Sequence, residues 1–287
     1  MADEVGRGLK AAFDSGVKRE DVFVTTKLWC TYHSRVEEGL DKSLKSLGLD
    51  YVDLYLVHWP VAMNPNGNDD RFPKLPDGSR DIIWEWKHTQ TWKEMEKLLA
   101  TGKVKAIGVC NYSVKYLQEL LAVATVVPAV NQIENHPQLP QQEVVDFCKE
   151  KGIHVTAYSP LGSTGSPLFT APAVVEIAKK KNVTPASVLL SYHSKFPLIT
   201  HLSLPLCLVR PILILETVAR GSSVLAKSVN PDRIEANKNI IKLDEEDMKH
   251  LTQYSEELKK EGQQKRYVYP AFGVNFGFPD QNTGRIA

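Results

Sequence analysis

Short, almost unbroken apolar runs alternate along this chain with stretches in which apolar residues recur every three to four positions. The runs at 21–27, 51–57, 104–109, 126–133, 154–158 and 222–226 read as strands covered on both faces. Between the first two, Val36, Leu40, Leu44 and Leu47 share one helical face. Helices are predicted over 92–99, 114–122, 141–151, 172–181 and 185–193, with Gly102 and Gly152 as C-caps. Pro231 and Asp232 open a last helix. The stretch 60–79 is rich in Pro, Asn, Gly and Asp and reads as a loop.

Parallel strands joined by crossover helices fit either a barrel or a doubly wound open sheet. The placement of polar residues favours the barrel. Lys27, His58, Asn111, Gln132, Tyr158 and Lys227 each stand at the C-terminal edge of a run. In a barrel those edges converge on one mouth, whereas an open sheet gathers only those at its switch point. No GxGxxG follows a strand, which counts against a Rossmann domain, and no GxSxG elbow supports a doubly wound hydrolase. The expectation is an α/β fold of TIM (β/α)8 type, forming a single domain over 1–287.

The segments Asp53-Leu54-Tyr55-Leu56-Val57-His58-Trp59-Pro60, Ile107-Gly108-Val109-Cys110-Asn111-Tyr112-Ser113, Val130-Asn131-Gln132-Ile133-Glu134-Asn135-His136-Pro137 and Ala226-Lys227-Ser228-Val229 resemble, in order and spacing, the signatures of the aldo-keto reductases. The tail Arg266-Tyr267-Val268-Tyr269-Pro270-Ala271-Phe272-Gly273 is similar to fungal members near glycerol dehydrogenases and xylose reductases. The resemblance implies NADP-dependent interconversion of a small carbonyl compound and its alcohol, on a sugar, a polyol, glycerol or a small aldehyde. It implies a catalytic set of Asp, Tyr, Lys and His, in which the Lys ammonium favours the phenolate and the Tyr donates the proton. Lys27 matches that Lys and His58 matches that His.

The same resemblance implies the cofactor contacts. Asn111 and Gln132 would bond the nicotinamide carboxamide, with Cys110 where many members have Ser. Tyr158 would stack on the nicotinamide ring. Ser159, Leu161 and Ser163 would meet the pyrophosphate. Lys227, Ser228 and Arg233 would hold the adenosine 2′-phosphate and Asn237 the adenine. Lys and Arg near one strand-to-helix turn suit a phosphate, which is why NADP(H) is preferred to NAD. Trp59 and Trp84 would wall the substrate pocket, and the C-terminal loop from 261 to 287 would bear on specificity.

Two departures stand out. Asp3-Glu4-Val5-Gly6 already resembles the helix that follows the family's second strand. The expectation is therefore a chain lacking the first two strands, with no counterpart of the catalytic Asp and Tyr and with impaired turnover. Second, the apolar, proline-rich stretch 194–217 interrupts the family pattern. It is read as an insertion of retained-intron type, because Ser194-Lys195-Phe196 can encode a splice donor and Thr217-Val218 an acceptor. The alternative to an enzyme is a non-catalytic NADP-binding or regulatory protein of the same fold.

Composition narrows the partners. Thirty-five basic and 34 acidic residues give a formal net charge of +1, so nothing points to nucleic acid or an acidic membrane surface. The apolar run 196–218 carries His201, Arg210, Pro205 and Pro211, which disfavour a membrane span. Four scattered cysteines, Cys30, Cys110, Cys148 and Cys207, lack metal spacing and read as reduced thiols of a cytoplasmic protein. No metal is expected. By resemblance the protein would be a monomer or weak dimer.

Overall fold

The alternation is realised as parallel strands joined through helices in a computed structural model, which describes residues 2–163, 165–193, 220–281 and 284–286. The elements run α1 (Ala2–Asp14), β1 (Thr25–Leu28), α2 (Val36–Leu47), β2 (Val52–Val57), α3 (His88–Lys97), β3 (Val104–Cys110) and α4 (Val114–Leu121). Next come β4 (Val130–Glu134), α5 (Gln142–Glu150), β5 (His154–Tyr158), α6 (Pro172–Lys181) and α7 (Pro185–Ser191). The chain closes with β6 (Ser223–Leu225), α8 (Pro231–Ala236), α9 (Glu245–Lys260), β7 (Val274–Asn275) and β8 (Arg285–Ile286). The interval 194–217 and the whole apolar run 196–218 lie outside the described residues.

Two compact units emerge. The first comprises Met1–Asn131, Asp146–His154 and Pro270–Ala287; the second comprises Gln132–Val145 and Val155–Tyr269. In the first, β1 pairs with β2 and β2 with β3, both parallel, so Lys27 stands opposite Leu56 and Val57 opposite Val109. This register brings the C-terminal ends of the three strands level. Gly108 makes the next approach possible: a Cβ there would lie 2.6 Å from the Val130 carbonyl oxygen and 2.7 Å from Leu56 Cδ2.

Two strands begin later than their apolar runs, and side chains explain why. Asp53 Oδ2 accepts the Val24 N–H (2.9 Å) and Arg19 Nη2 (2.9 Å), while Arg19 Nη1 donates to the Val22 carbonyl (2.6 Å). Side chains thus take the Val24 N–H and the Val22 carbonyl, while the Val24 carbonyl accepts the Asp53 and Leu54 N–H groups, and β1 starts at Thr25. Likewise Glu96 Oε1 accepts the N–H groups of Thr125 and Val126, so β4 starts at Val130. The single helix expected after Pro231 is two. Asp244 caps α9 by accepting the Asp247 N–H (2.9 Å), and the Asp247 carboxylate accepts the Asp244 N–H in return.

The second unit is centred on Leu168, Val174, Ile177, Val188, Leu189, Tyr192 and Leu251, all buried. Lys181 and Lys180 join α6 to α9 through Asp247, at 2.8 and 3.0 Å, and the Asp247 side chain is itself buried. Buried Glu134, at the end of β4, accepts the backbone N–H of Tyr267 (2.7 Å) and of Val268 (2.8 Å) and meets His136 Nε2 (3.0 Å). That carboxylate pins the chain that follows α9 within this unit. None of the residues of α8 is buried. No described helix is long and apolar enough to cross a membrane.

Candidate active site

In the first unit the strand ends gather Lys27, His58, Cys110 and Asn111. Lys27 is the third residue of β1, and its ammonium makes no hydrogen bond or ion pair among the described residues. Its charge is nevertheless felt by two neighbours. Burial draws His58 down to about 3, and the positive charges of Lys27 and Arg71 act in the same direction. Burial pushes the Cys110 thiol up to about 12, with Lys27 opposing. His58 is therefore a neutral imidazole at neutral pH.

The backbone holds this group in place. His58 N–H donates to the Leu28 carbonyl (3.1 Å), extending the β1–β2 ladder by one residue. Asn111 Nδ2 donates to the His58 carbonyl (2.9 Å), and Asn111 takes a positive φ of 62° as β3 turns into its loop. Cys110 is packed with Leu54, Leu56 and Val130 in a small apolar cluster. Asn131 pins the neighbouring loop, donating to the Tyr112 carbonyl at 2.9 Å.

Aromatic rings surround His58. Trp29 meets it edge-on at 5.1 Å and Trp59 is stacked at 6.2 Å. Phe72 lies 5.2 Å from Trp29, and Phe272 lies 5.9 Å from Trp59. Phe276 meets Trp59 at 5.1 Å. Trp59 is thus one of the rings packed around His58. Trp84 is placed elsewhere in the loop, with the Arg285 guanidinium 4.4 Å over its ring. Trp29, Phe72, Phe272 and Phe276 were not singled out from sequence. Trp29 stands two residues beyond Lys27, where a strand end would have drawn attention to it. Phe272 and Phe276 are some two hundred residues from His58, with no local signal.

In the second unit Gln132 lies in β4 and Tyr158 ends β5. The Gln132 side chain is buried and makes no hydrogen bond among the described residues. After Tyr158 the chain turns sharply: Ser159 takes a positive φ of 50°, and its carbonyl accepts the Gly162 N–H (2.8 Å). Gly162 is required there, since a Cβ would lie 2.1 Å from Ser166 Oγ at a φ of +75°. Leu161 packs partly against the core and Ser163 is exposed, its carbonyl accepting the Ser166 N–H (2.9 Å).

Lys227 and Arg233 are exposed, and neither has an ion-pair partner among the described residues. Ser228 Oγ accepts the Asn230 N–H (3.2 Å), and Asn230 in turn caps α8 by accepting the Arg233 N–H (3.0 Å). Asn237 follows as the half-buried C-cap of α8. No group of three or more His, Cys, Asp or Glu able to hold a metal ion occurs among the described residues.

Comparison with known proteins bears on the chemistry these residues carry. The model of the family described as "Aldo/keto reductase family" matches residues 2–256. The chain is 63% identical over 280 residues to a protein of Hypocrea jecorina named D-galacturonate reductase, covering 98% of this chain and 83% of that one. It is 48% identical over 275 residues to glycerol 2-dehydrogenase (NADP(+)) of Saccharomyces cerevisiae, covering 93% of this chain and 78% of that one. A solved aldose reductase of Giardia lamblia superposes with a TM-score of 0.81 at 34% identity, over 96% of this chain and 86% of that one. The α/β architecture expected from the strand ends is therefore the one found, and it comes with an oxidoreductase lineage that uses nicotinamide cofactors. The chain belongs to the aldo/keto reductase family.

Proposed function

We propose that this protein binds NADP(H) and interconverts a carbonyl group and an alcohol on a sugar, polyol or small aldehyde. The observation that carries the reading is the pairing of an unpartnered Lys27 ammonium with a neutral, aromatic-walled His58 at adjacent strand ends. A cation without a carboxylate partner, beside a neutral imidazole, suits a carbonyl oxygen on which negative charge develops. His58 would donate a hydrogen bond to that oxygen from its neutral ring. The names of the relatives, one acting on a sugar acid and one on glycerol, support the substrate class.

The residues of the second unit fit the cofactor. Lys227, just after β6, and Arg233, in α8, have no ion-pair partner among the described residues, which suits the 2′-phosphate of NADP. Ser228 and Asn237 stand beside them. The Gln132 amide has its donors and acceptor free for a carboxamide, Tyr158 offers an aromatic face, and the turn Ser159–Leu161–Ser163 offers backbone groups to a pyrophosphate. In the first unit Asn111 would serve the carboxamide, although its Nδ2 is committed to the His58 carbonyl. When bound, the reduced nicotinamide supplies the hydride; the chain's own residues orient the carbonyl and stabilise its oxygen.

Turnover is expected to be slow. No tyrosine hydroxyl bonds to Lys27 among the described residues, and a placed general acid is worth roughly two to four orders of magnitude. This same observation favours a second reading, a cofactor-binding protein without catalysis. One assay separates them: NADPH binding by fluorescence, and NADPH oxidation with D-glyceraldehyde, in the natural chain and in Lys27→Met. Oxidation that falls on the order of a hundredfold in Lys27→Met supports the reductase. Tight NADPH binding with no oxidation in either protein supports the second reading, and failure to bind NADPH sinks both.

A further inference from the structure

Two cationic side chains whose charge acts on His58 make no hydrogen bond or ion pair among the described residues. Lys27 is one. The other, Arg71, lies in the long loop between β2 and α3, and its guanidinium makes no hydrogen bond or ion pair among the described residues. Its backbone is nonetheless firmly held. The Arg71 carbonyl accepts Trp29 Nε1 (2.6 Å), and Asp69 Oδ1 accepts the N–H groups of Arg71 (2.8 Å) and Phe72 (2.6 Å). Asp69 is thus engaged in the turn, and neither it nor the adjacent Asp70 forms an ion pair with the guanidinium among the described residues. The guanidinium carbon sits 5.4 Å from the Trp29 ring and 5.9 Å from the Phe72 ring. Trp29 also meets the His58 ring edge-on, at 5.1 Å.

An exposed guanidinium held over an indole ring is oriented by it and keeps its donor fork open. That geometry matches a carboxylate, which it can take bidentately. We propose that Arg71 is a specificity-determining anchor for substrates that carry a carboxylate as well as the reacting carbonyl, such as sugar acids. The carbonyl end would face His58 and Lys27, while the carboxylate end would reach across Trp29 to Arg71. The neighbouring cation Arg80 does not compete for this role: it stacks over Phe72 at 5.0 Å and its Nη1 is bonded to the Phe72 carbonyl. The inference rests on the reductase reading for the place of the carbonyl, but not for the place of the carboxylate.

The test uses the full chain with NADP+ present and two probes that differ only at one end, D-galacturonate and D-galactose. Binding is read from quenching of tryptophan fluorescence. D-galacturonate is expected to bind about 10–100-fold more tightly, as a charge-assisted pair implies. Arg71→Met should remove that preference and leave D-galactose binding unchanged, Arg71→Lys should keep part of it, and Arg80→Met should leave it intact. Equal binding of the two sugars by the natural chain overturns the anchor. So does a preference that survives Arg71→Met, or one lost in Arg80→Met alone. If Arg71→Met does not fold, as judged by far-ultraviolet circular dichroism, Arg71→Lys and the salt dependence of the natural chain's preference carry the test. A carboxylate preference in binding without NADPH oxidation of any carbonyl leaves the anchor standing and sinks the reductase reading. Oxidation with neutral aldehydes and no carboxylate preference does the reverse.

Discussion

Lys227 and Arg233 show how much a single unpaired charge can decide. Each is exposed, so neither contributes to stability, and their value is realised only when an anion arrives. If they hold a 2′-phosphate, Arg233→Met should weaken NADPH binding by about 10–100-fold while changing NADH binding little, because a hydrogen bond to a charged group contributes roughly 1.5–3 kcal/mol. Parallel titrations with the two cofactors measure this, and equal losses for both would remove the phosphate assignment. Both residues are visible in sequence as basic positions at a strand-to-helix turn. Arg71 was not visible in that way. Nothing in a polar loop marks one arginine as stacked and unpaired, since Trp29, which orients it, is 42 residues away.

At the scale of elements, the strand order is carried by side-chain size as much as by hydrogen bonds. Gly108 sits in β3 opposite Leu56, with the Val130 backbone close above it. Gly108→Ala would place a methyl group 2.6 Å from the Val130 oxygen, so the backbone must shift. Overpacking of this kind costs about 1–3 kcal/mol, which should appear as a lower urea midpoint with an unchanged m-value. An unaltered midpoint would mean that the sheet adjusts freely at this position. The same scale explains where the pattern of apolar residues misplaced element ends. Alternation located β1 to β6 but not the short β7 and β8, and Asp53 and Glu96 capture backbone N–H groups before β1 and β4 begin. Such captures depend on residues about thirty positions away and leave no trace in local periodicity.

Across the whole molecule, a set of neutral buried histidines ties stability to pH. Burial, with help from His88, draws His33 down to about 3. Burial also lowers His88, against the pull of Glu119, and lowers His136 and His193 in the second unit. In the unfolded chain these groups take up protons near pH 6.5, whereas in the folded chain they remain neutral. Below that pH the unfolded state binds more protons, so stability is full above pH 6.5 and declines as pH falls toward the folded values. For His33 alone the loss between pH 7 and pH 5 should be about 2 kcal/mol. Urea unfolding at the two pH values measures the total, and His33→Gln should flatten the dependence. An equally steep decline in that variant would place its origin elsewhere.

The amino-acid sequence by itself determined the α/β alternation, the polar strand ends and the family, because apolar periodicity and long ordered motifs are local properties of a chain. It also marked Lys27 and His58, since each closes an apolar run. Only the tertiary structure decided what those residues face. The neutrality of His58 comes from burial beside two cations, one on the neighbouring strand and one in the loop that follows His58. The aromatic wall comes from five rings, Trp29, Trp59, Phe72, Phe272 and Phe276, drawn from separate stretches of the chain. Burial, unpaired charge and ring geometry are sums over neighbours in space, and a linear pattern does not contain them.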